Sequence, residues 1–389
     1  MNPSIKGFLR GRQQEMAIAV DDLTYAMVNR RIIRGDGVGL EDLPATAEER
    51  WRGKPGDDFH VVYVGHPTNW EPHNIPAEPG LAKTVTTVWL RDLGFGTYTK
   101  EGILRHRERV GAAVADAVKA IDKDRPVHLL LTYLSGAQVL ADAVAEWRRL
   151  GVMTASFHFD DRLGFRSGRV GGQWRGPAAT ATAYDLNLTN VRRSLPKYGA
   201  LGARAMFWPE GANPAVFRPL GIRRTHDVAF LGASYGPRQA IIRWLERQGF
   251  SVLARGPGWP GGEIPQEEVP LVLNSGRVVL GFSGIGWSMR ATCLKGRDFE
   301  APMCGAAYLP SWNPELRHVY EVGREVVAWR DRRDLAAKLN ALLGDVDGLE
   351  RLRAAGLARA RRDHSWSSRI AAIAGILRGS APRVDEPWP

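Results

Sequence analysis

Asp227-Val-Ala-Phe-Leu-Gly-Ala-Ser-Tyr-Gly-Pro-Arg238 passes from an apolar run through a turn of small residues into a helix-forming segment that ends at Arg247. The apolar run fits a strand covered on both faces, Gly232 supplies the turn that ends it, and Pro237 suits the start of a helix. The alternation continues downstream, with strands expected at 251–254, 277–281, 306–309 and 325–328 and helices at 331–343, 348–362 and 366–377. Strand followed by helix, repeated, builds a parallel doubly wound sheet.

Upstream, β-branched runs at 60–65, 84–90, 127–133, 152–159 and 185–189, with helix-length patterns at 102–121 and 138–150, predict a second sheet of the same kind. Between the two, Phe207-Trp-Pro-Glu-Gly-Ala-Asn-Pro-Ala-Val-Phe-Arg-Pro-Leu220 breaks the pattern with three prolines and reads as a joint. The expected organisation is a helical appendage at 1–58, with helical spacing over 7–31, and Rossmann-like domains at 59–210 and 211–365. A last segment, 366–389, is expected to hold a helix that crosses back to the first domain, and a tail. Two such domains are expected to face each other across a cleft, because open α/β sheets bind ligands outside the carboxyl ends of their strands.

The chain has 389 residues, 44% of them hydrophobic, enough for two cores. It contains no run of 18 apolar residues and opens without an apolar segment ahead of a small-residue cleavage site, so neither a transmembrane segment nor a secretion signal is expected and the expected compartment is cytoplasmic. Cys293 and Cys304 are too few for a disulfide framework and read as reduced core thiols. Lys and Arg exceed Asp and Glu by 24 to 23 in residues 1–190 and by 29 to 19 in residues 191–389, so the net charge of +11 divides as +1 and +10. An excess on one side points to an anionic partner for the second half: a phosphorylated small molecule, nucleic acid or a membrane surface. The competing reading is a solvated, arginine-rich surface.

Two motifs carry chemistry in the second half. At 230–238, small residues let backbone approach a ligand, and the helix start with Arg238 favours an anion such as pyrophosphate, with Gly232 and Ser234 at the phosphate turn. Leu294-Lys-Gly-Arg-Asp-Phe-Glu-Ala-Pro-Met-Cys-Gly305 sets Lys295 and Arg297 where they can oppose phosphate charge, and Glu300 where it can accept hydrogen bonds from two vicinal hydroxyls, as carboxylates hold ribose. The alternative for Glu300 is a solvated acid that complements the helix dipole.

In the first half, His158, Asp160 and Asp161 close a strand, a good place for a catalytic base and acceptor contacts. His66, Asn69 and Trp70, in the loop Gly65-His-Pro-Thr-Asn-Trp-Glu-Pro-His73, are expected to touch the acceptor. No Asp or Cys cluster supports a metal there. Asp122-Lys-Asp124 and Asp345-Val-Asp347 have the spacing with which some sugar transferases hold a divalent ion, but both read as surface turns, so no metal is expected. Trp70, Trp174, Trp259 and Trp287, four of thirteen tryptophans, sit in glycine- or proline-bearing loops and suit sugar rings or bases.

Taken together, Lys295–Gly305, Asp227–Arg238, Leu273-Asn-Ser-Gly-Arg-Val-Val-Leu-Gly-Phe282, Val322-Gly-Arg-Glu-Val-Val327 and Arg362-Asp-His-Ser-Trp366 resemble the spore maturation protein CgeB-like glycosyltransferases. Ser156-Phe-His-Phe-Asp-Asp161 and Asp185–Asn190 fit the same pattern, and the resemblance spans residues 120–375. It implies the GT-B class of α/β fold and a nucleotide-diphosphate sugar, such as a UDP-sugar, as co-substrate in place of a bound cofactor. It also implies that the second domain binds this donor, with Glu300 on the ribose, and that the first presents an acceptor of unassigned class: small molecule, glycan, protein or DNA. Retaining relatives carry two glutamates separated by seven residues; here Thr292 stands at the first position, which leaves the stereochemical course open. A sugar-nucleotide epimerase of the same layout and a nucleic-acid-binding, DNA-modifying glycosyltransferase are the alternatives, and peripheral membrane contact is compatible with the charge.

Overall fold

In the computed structural model of the chain, residues 3–29, 33–34, 37–51, 58–67, 70–96 and 100–379 are described. They divide between two compact units, an N-terminal unit within 21–209 and 369–379 and a C-terminal unit within 3–20 and 210–368. The helices Pro3–Asn29 and Trp366–Leu377 each contribute to both.

The N-terminal unit holds strands β1 (Ile33–Arg34), β2 (Gly37–Val38), β3 (Val61–Gly65), β4 (Val85–Trp89), β5 (Leu129–Thr132), β6 (Met153–His158), β7 (Arg169–Val170), β8 (Gln173–Trp174), β9 (Leu186–Thr189) and β10 (Ala205–Phe207). Eight form one sheet in the order β1-β2-β10-β9-β6-β5-β3-β4, parallel from β10 to β4 and antiparallel where β2 joins, while β7 and β8 pair separately. The sequence pattern explains the parallel core: every residue of β3, β5, β6 and β9 is buried, as a sheet covered on both faces requires. Helices Lys100–Asp124 and Ala141–Arg149 set Val110, Val114, Val118, Val144 and Trp147 against Val62, Val64 and Leu130. Each such side chain stabilises the fold by about 1.5–3 kcal/mol.

Part of the segment read as an appendage is woven into this unit. Val38 of β2 pairs with Ala205, and Arg50, on the helix Leu43–Trp51, meets the buried Asp185 carboxylate at 2.6 and 2.9 Å. Asp185 also accepts from the Thr154 backbone and hydroxyl at 2.9 Å, so the ion pair fastens β6, the start of β9 and that helix together.

The C-terminal unit has four parallel strands, β11 (His226–Leu231), β12 (Val252–Arg255), β13 (Gly276–Gly281) and β14 (Ala307–Pro310), in the order β12-β11-β13-β14. The chain leaves β11 to one side for β12 and returns on the other as β13, so the order reverses at β11, where the carboxyl ends of such sheets open a binding crevice. The strand expected at 325–328 is not formed. Gly323, with φ of 106°, makes a tight turn that leaves only single bridges, Val322 to Val326 and Ser311 to Trp329. The helix Val269–Ser275 and the short strand β10 were not anticipated.

Candidate functional site

The turn after β11 is stitched to the turn after β12. Gly232 donates its N–H to the Arg255 carbonyl at 2.9 Å, Ser234 donates to Pro257 at 2.9 Å, and the Trp259 indole donates to the Gly232 carbonyl at 2.7 Å. Gly256, with φ of 121°, is confined to glycine, since a Cβ there would lie 2.7 Å from the Gly232 oxygen. The amides of Gly232 and Ser234 are therefore spent on holding the turn in shape. What the turn presents is Arg238, the first residue of the helix Arg238–Arg247. Its guanidinium folds back to donate to the Ala233 carbonyl (2.9 Å) and the Tyr235 hydroxyl (3.0 Å) and lies 4.0 Å from the Tyr235 ring centroid. It is 8% exposed and, among the described residues, forms no ion pair with a carboxylate. Burial lowers its pKa, the signature of a cation held without a countercharge.

The second motif forms a capped turn leading into the helix Arg297–Met303. Asp298 is fully enclosed: its carboxylate accepts the Lys295 N–H at 2.7 Å and the Tyr308 hydroxyl at 2.8 Å, and Tyr320 donates to its carbonyl. Lys295 and Gly296 are thereby fixed. A Cβ on Gly296 would lie 2.7 Å from Oε2 of Glu210 and 3.4 Å from Oε1 of Glu300, so two carboxylates converge on the one residue small enough to admit them. Glu300 is 5% exposed and pairs with Arg297 at 2.5 Å. The pair is incomplete. Oε2 of Glu300 and Nη1 of Arg297 are spent on that contact, while Nε of Arg297 is buried without a hydrogen bond, although such an atom ordinarily finds a partner. Burial raises the Glu300 pKa and the Arg297 charge opposes the rise.

Desolvation pushes the Asp298 pKa up to about 6. A raised carboxyl stabilises the fold while protonated and loses that contribution as pH climbs through its folded value. Asp298→Asn cannot titrate, so between about pH 4 and 7 the difference in stability between the two proteins should move in favour of the variant by about 3 kcal/mol. Urea unfolding at a series of pH values checks this, and a pH-independent difference would refute it.

In the N-terminal unit a pocket of about 260 Å³ opens at the carboxyl ends of β5 and β6, lined by Tyr133, Ser135, Gln138, His158, Asp160 and Arg175 among others. The Ser156 hydroxyl donates to the Leu134 carbonyl at 2.8 Å and stands 3.0 Å from His158 Nε2. With the hydroxyl hydrogen so committed, Nε2 carries the imidazole proton and Nδ1 keeps its lone pair. Burial drives the His158 pKa down to about 3, so the ring is neutral near pH 7. Asp161 behaves differently: its oxygens accept from Ser194 (2.8 Å) and Tyr198 (2.9 Å), which ties it into the unit's interior, and desolvation lifts it to about 6. Asp160 is exposed at the pocket. Trp70 packs edge-on against Tyr133 with ring centroids 5.6 Å apart, His66 is buried with its pKa lowered by burial, and Asn69 lies outside the described residues.

Residues 238–375 match a family model described as glycosyl transferase-like. The chain carries a glycosyl transferase-like domain. Its fold agrees. Sucrose-phosphate synthase from Thermosynechococcus elongatus is 15% identical over 87% of this chain and 91% of its own, with a TM-score of 0.54. The catalytic domain of starch synthase IV from Arabidopsis thaliana, bound to ADP and acarbose, is 10% identical over 83% and 99%, with a TM-score of 0.57. Anabaena HepE in complex with UDP and glucose is 11% identical over 82% and 99%, with a TM-score of 0.55. No curated protein sequence is similar enough to be matched. The matched domain makes the chain an enzyme of the glycosyltransferase class, and its fold is that of two Rossmann-like units of GT-B type.

Within the glycosyl transferase-like domain, the structure redistributes several sequence expectations. Arg238, Lys295, Arg297 and Glu300 all lie in turns that follow β11 and β13 at the carboxyl edge, or at the start of the helix that follows. Trp259 is buried as a strut under Gly232, and Trp287 packs against Gly7 of the first helix. In the N-terminal unit Trp174 lies beneath Arg169 at 4.2 Å. Asp122 accepts the Val127 N–H and Asp345 caps the helix Val346–Asp363, so each D-x-D pair has an acid spent on a chain turn. Among the described residues no group of three or more His, Cys, Asp or Glu is placed to hold a metal, and no helix is long and apolar enough to cross a membrane. Cys293 and Cys304 are buried and are not joined in a disulfide. Sequence reasoning missed Glu210 and Asp298. The first was legible as a lone acid in the joint Phe207–Leu220, and the second sits inside the quoted motif.

Proposed function

We propose that the protein is a CgeB-like glycosyltransferase that moves a sugar from a nucleotide diphosphate to an acceptor without help from a metal ion. The observation that carries this reading is the incomplete Arg297–Glu300 pair beside Gly296. A ribose diol accepting from Nε of Arg297 would satisfy the buried atom that the protein leaves without a hydrogen bond, and its own hydroxyls would donate to the lone pairs of Glu300 that the ion pair does not use. Arg238, a buried cation with no carboxylate partner among the described residues, and Lys295 are the groups we assign to the diphosphate.

In the reaction the acceptor oxygen bonds to the anomeric carbon as the bond from that carbon to the diphosphate oxygen breaks. The electron pair leaves on the diphosphate, where Arg238 and Lys295 oppose the growing charge. The acceptor proton goes to Nδ1 of His158. A base this weak takes it late, once bonding to the anomeric carbon has made the hydroxyl strongly acidic.

The test is thermal unfolding with UDP and with ADP, in the presence of a chelator. One of them should raise the melting temperature, by the equivalent of about 2.7 kcal/mol at a hundredfold excess over its dissociation constant. A rise that vanishes with chelator and returns with manganese would refute the metal-free part; no rise with any nucleoside diphosphate would refute the donor site.

A further inference from the structure

Ten large apolar side chains are exposed among the described residues, and four of them fall on one helix: Leu9 (47%), Met16 (70%), Val20 (58%) and Leu23 (67%) of Pro3–Asn29. Steps of seven, four and three residues put all four on a single face. The opposite face is anchored. Gly7 and Gly11 let the helix sit against Trp287, Gln14 accepts the Trp287 N–H at 2.9 Å, and Ile18 and Tyr25 are buried. The helix is thus held by the protein, with its apolar stripe turned outward.

The charges sort the same way. The three acids among the helix's described side chains all have partners: Glu15 accepts from Ser288 at 2.7 Å and from the exposed Arg12 at 3.3 Å, Asp21 from Lys197 at 3.0 Å and Asp22 from Arg162 at 3.0 Å. Between Leu9 and Thr24 the exposed positions are Leu9, Arg10, Arg12, Gln13, Met16, Ala17, Ala19, Val20, Leu23 and Thr24. No acid is among them, and arginines flank the stripe on both sides. Beyond its end, the exposed Arg193 lies 3.9 Å from Asp22.

We infer that this face docks on an anionic lipid bilayer, lying in the interface with Leu9, Met16, Val20 and Leu23 inserted and the arginines among the headgroups. A second copy of the same helix would bring arginine flanks together with no facing acid, a repulsive pairing, whereas anionic headgroups match both the stripe and its flanks. The inference stands apart from the donor site.

Full-length protein is cosedimented with vesicles of phosphatidylcholine alone and of phosphatidylcholine mixed with phosphatidylglycerol, at about 0.05 M and about 0.3 M salt. Binding should require phosphatidylglycerol and weaken at the higher salt. The exposed-site variant Met16→Ser/Val20→Ser/Leu23→Ser should partition at least about tenfold less, and Arg12→Gln about fivefold less, with unchanged melting temperatures. Failure of the wild type to bind the anionic vesicles, or equal binding by the triple variant, would overturn the inference. A concentration-dependent dimer that the triple variant abolishes, without vesicle binding, would assign the face to a second copy instead.

Discussion

Replacing Arg238 with methionine should erase the melting-temperature rise given by UDP or ADP while leaving the unliganded protein as stable as before, or more stable. Arg238 is desolvated with no carboxylate among the described residues to offset it, so a flexible apolar chain of similar length removes a cost as well as a pair of hydrogen bonds to Ala233 and Tyr235. Methionine also suits a site walled by Phe230, Tyr235 and Phe282. The loss appears only with ligand: a charge-assisted contact contributes about 1.5–3 kcal/mol to binding, and removal of a group that stabilises developing charge lowers turnover by about 10²–10³. Melts with and without nucleotide separate the two effects. A variant that is strongly destabilised yet keeps the nucleotide-dependent rise would show Arg238 to be a structural strut.

The fold was legible where local pattern and burial coincide. Val61-Val-Tyr-Val64 and Val278-Val-Leu280 are continuous apolar runs because parallel strands are covered on both faces, and each emerges as a central strand. Legibility failed where tertiary pairing decides. Strands β1 and β2 are two residues each, too short for any period, and exist because Val38 finds Ala205 at the sheet edge. The valines near 326 read as a strand and do run beside β14, Val327 donating to the Tyr308 carbonyl and Trp329 to that of Pro310, but the pairing stops at an isolated bridge.

The site divides in the same way. Residue type and spacing pointed to Arg238, Lys295, Arg297 and Glu300, because cations and an acid at helix starts after strands form a local pattern. They could not show that Arg297 and Glu300 meet each other, that Asp298 is locked between Lys295 and Tyr308, or that Glu210 reaches Gly296 from eighty-six positions earlier in the chain. Nor could they separate His158, Asp160 and Asp161, which adjacency made look alike. The strand end sends His158 to the pocket, and the next helix turns Asp161 to Ser194 and Tyr198.

On the proposed function, the turn from Lys295 to Glu300 reads the ribose of a nucleotide donor. Glu300→Gln keeps the size of the side chain and removes the charge that strengthens its hydrogen bonds, which should cost about 1.5–3 kcal/mol, or roughly 10- to 150-fold in nucleotide affinity. Because Arg297 then loses its partner, the unfolding of the variant is followed alongside, and affinity is compared only where both proteins are folded. The measurement is titration calorimetry of the nucleoside diphosphate that stabilises the wild type, and of its 2′,3′-dideoxy analogue, into both proteins. Wild type should prefer the diol by at least about tenfold and the variant should scarcely distinguish the two ligands; a folded Glu300→Gln protein that keeps the full preference would contradict the assignment.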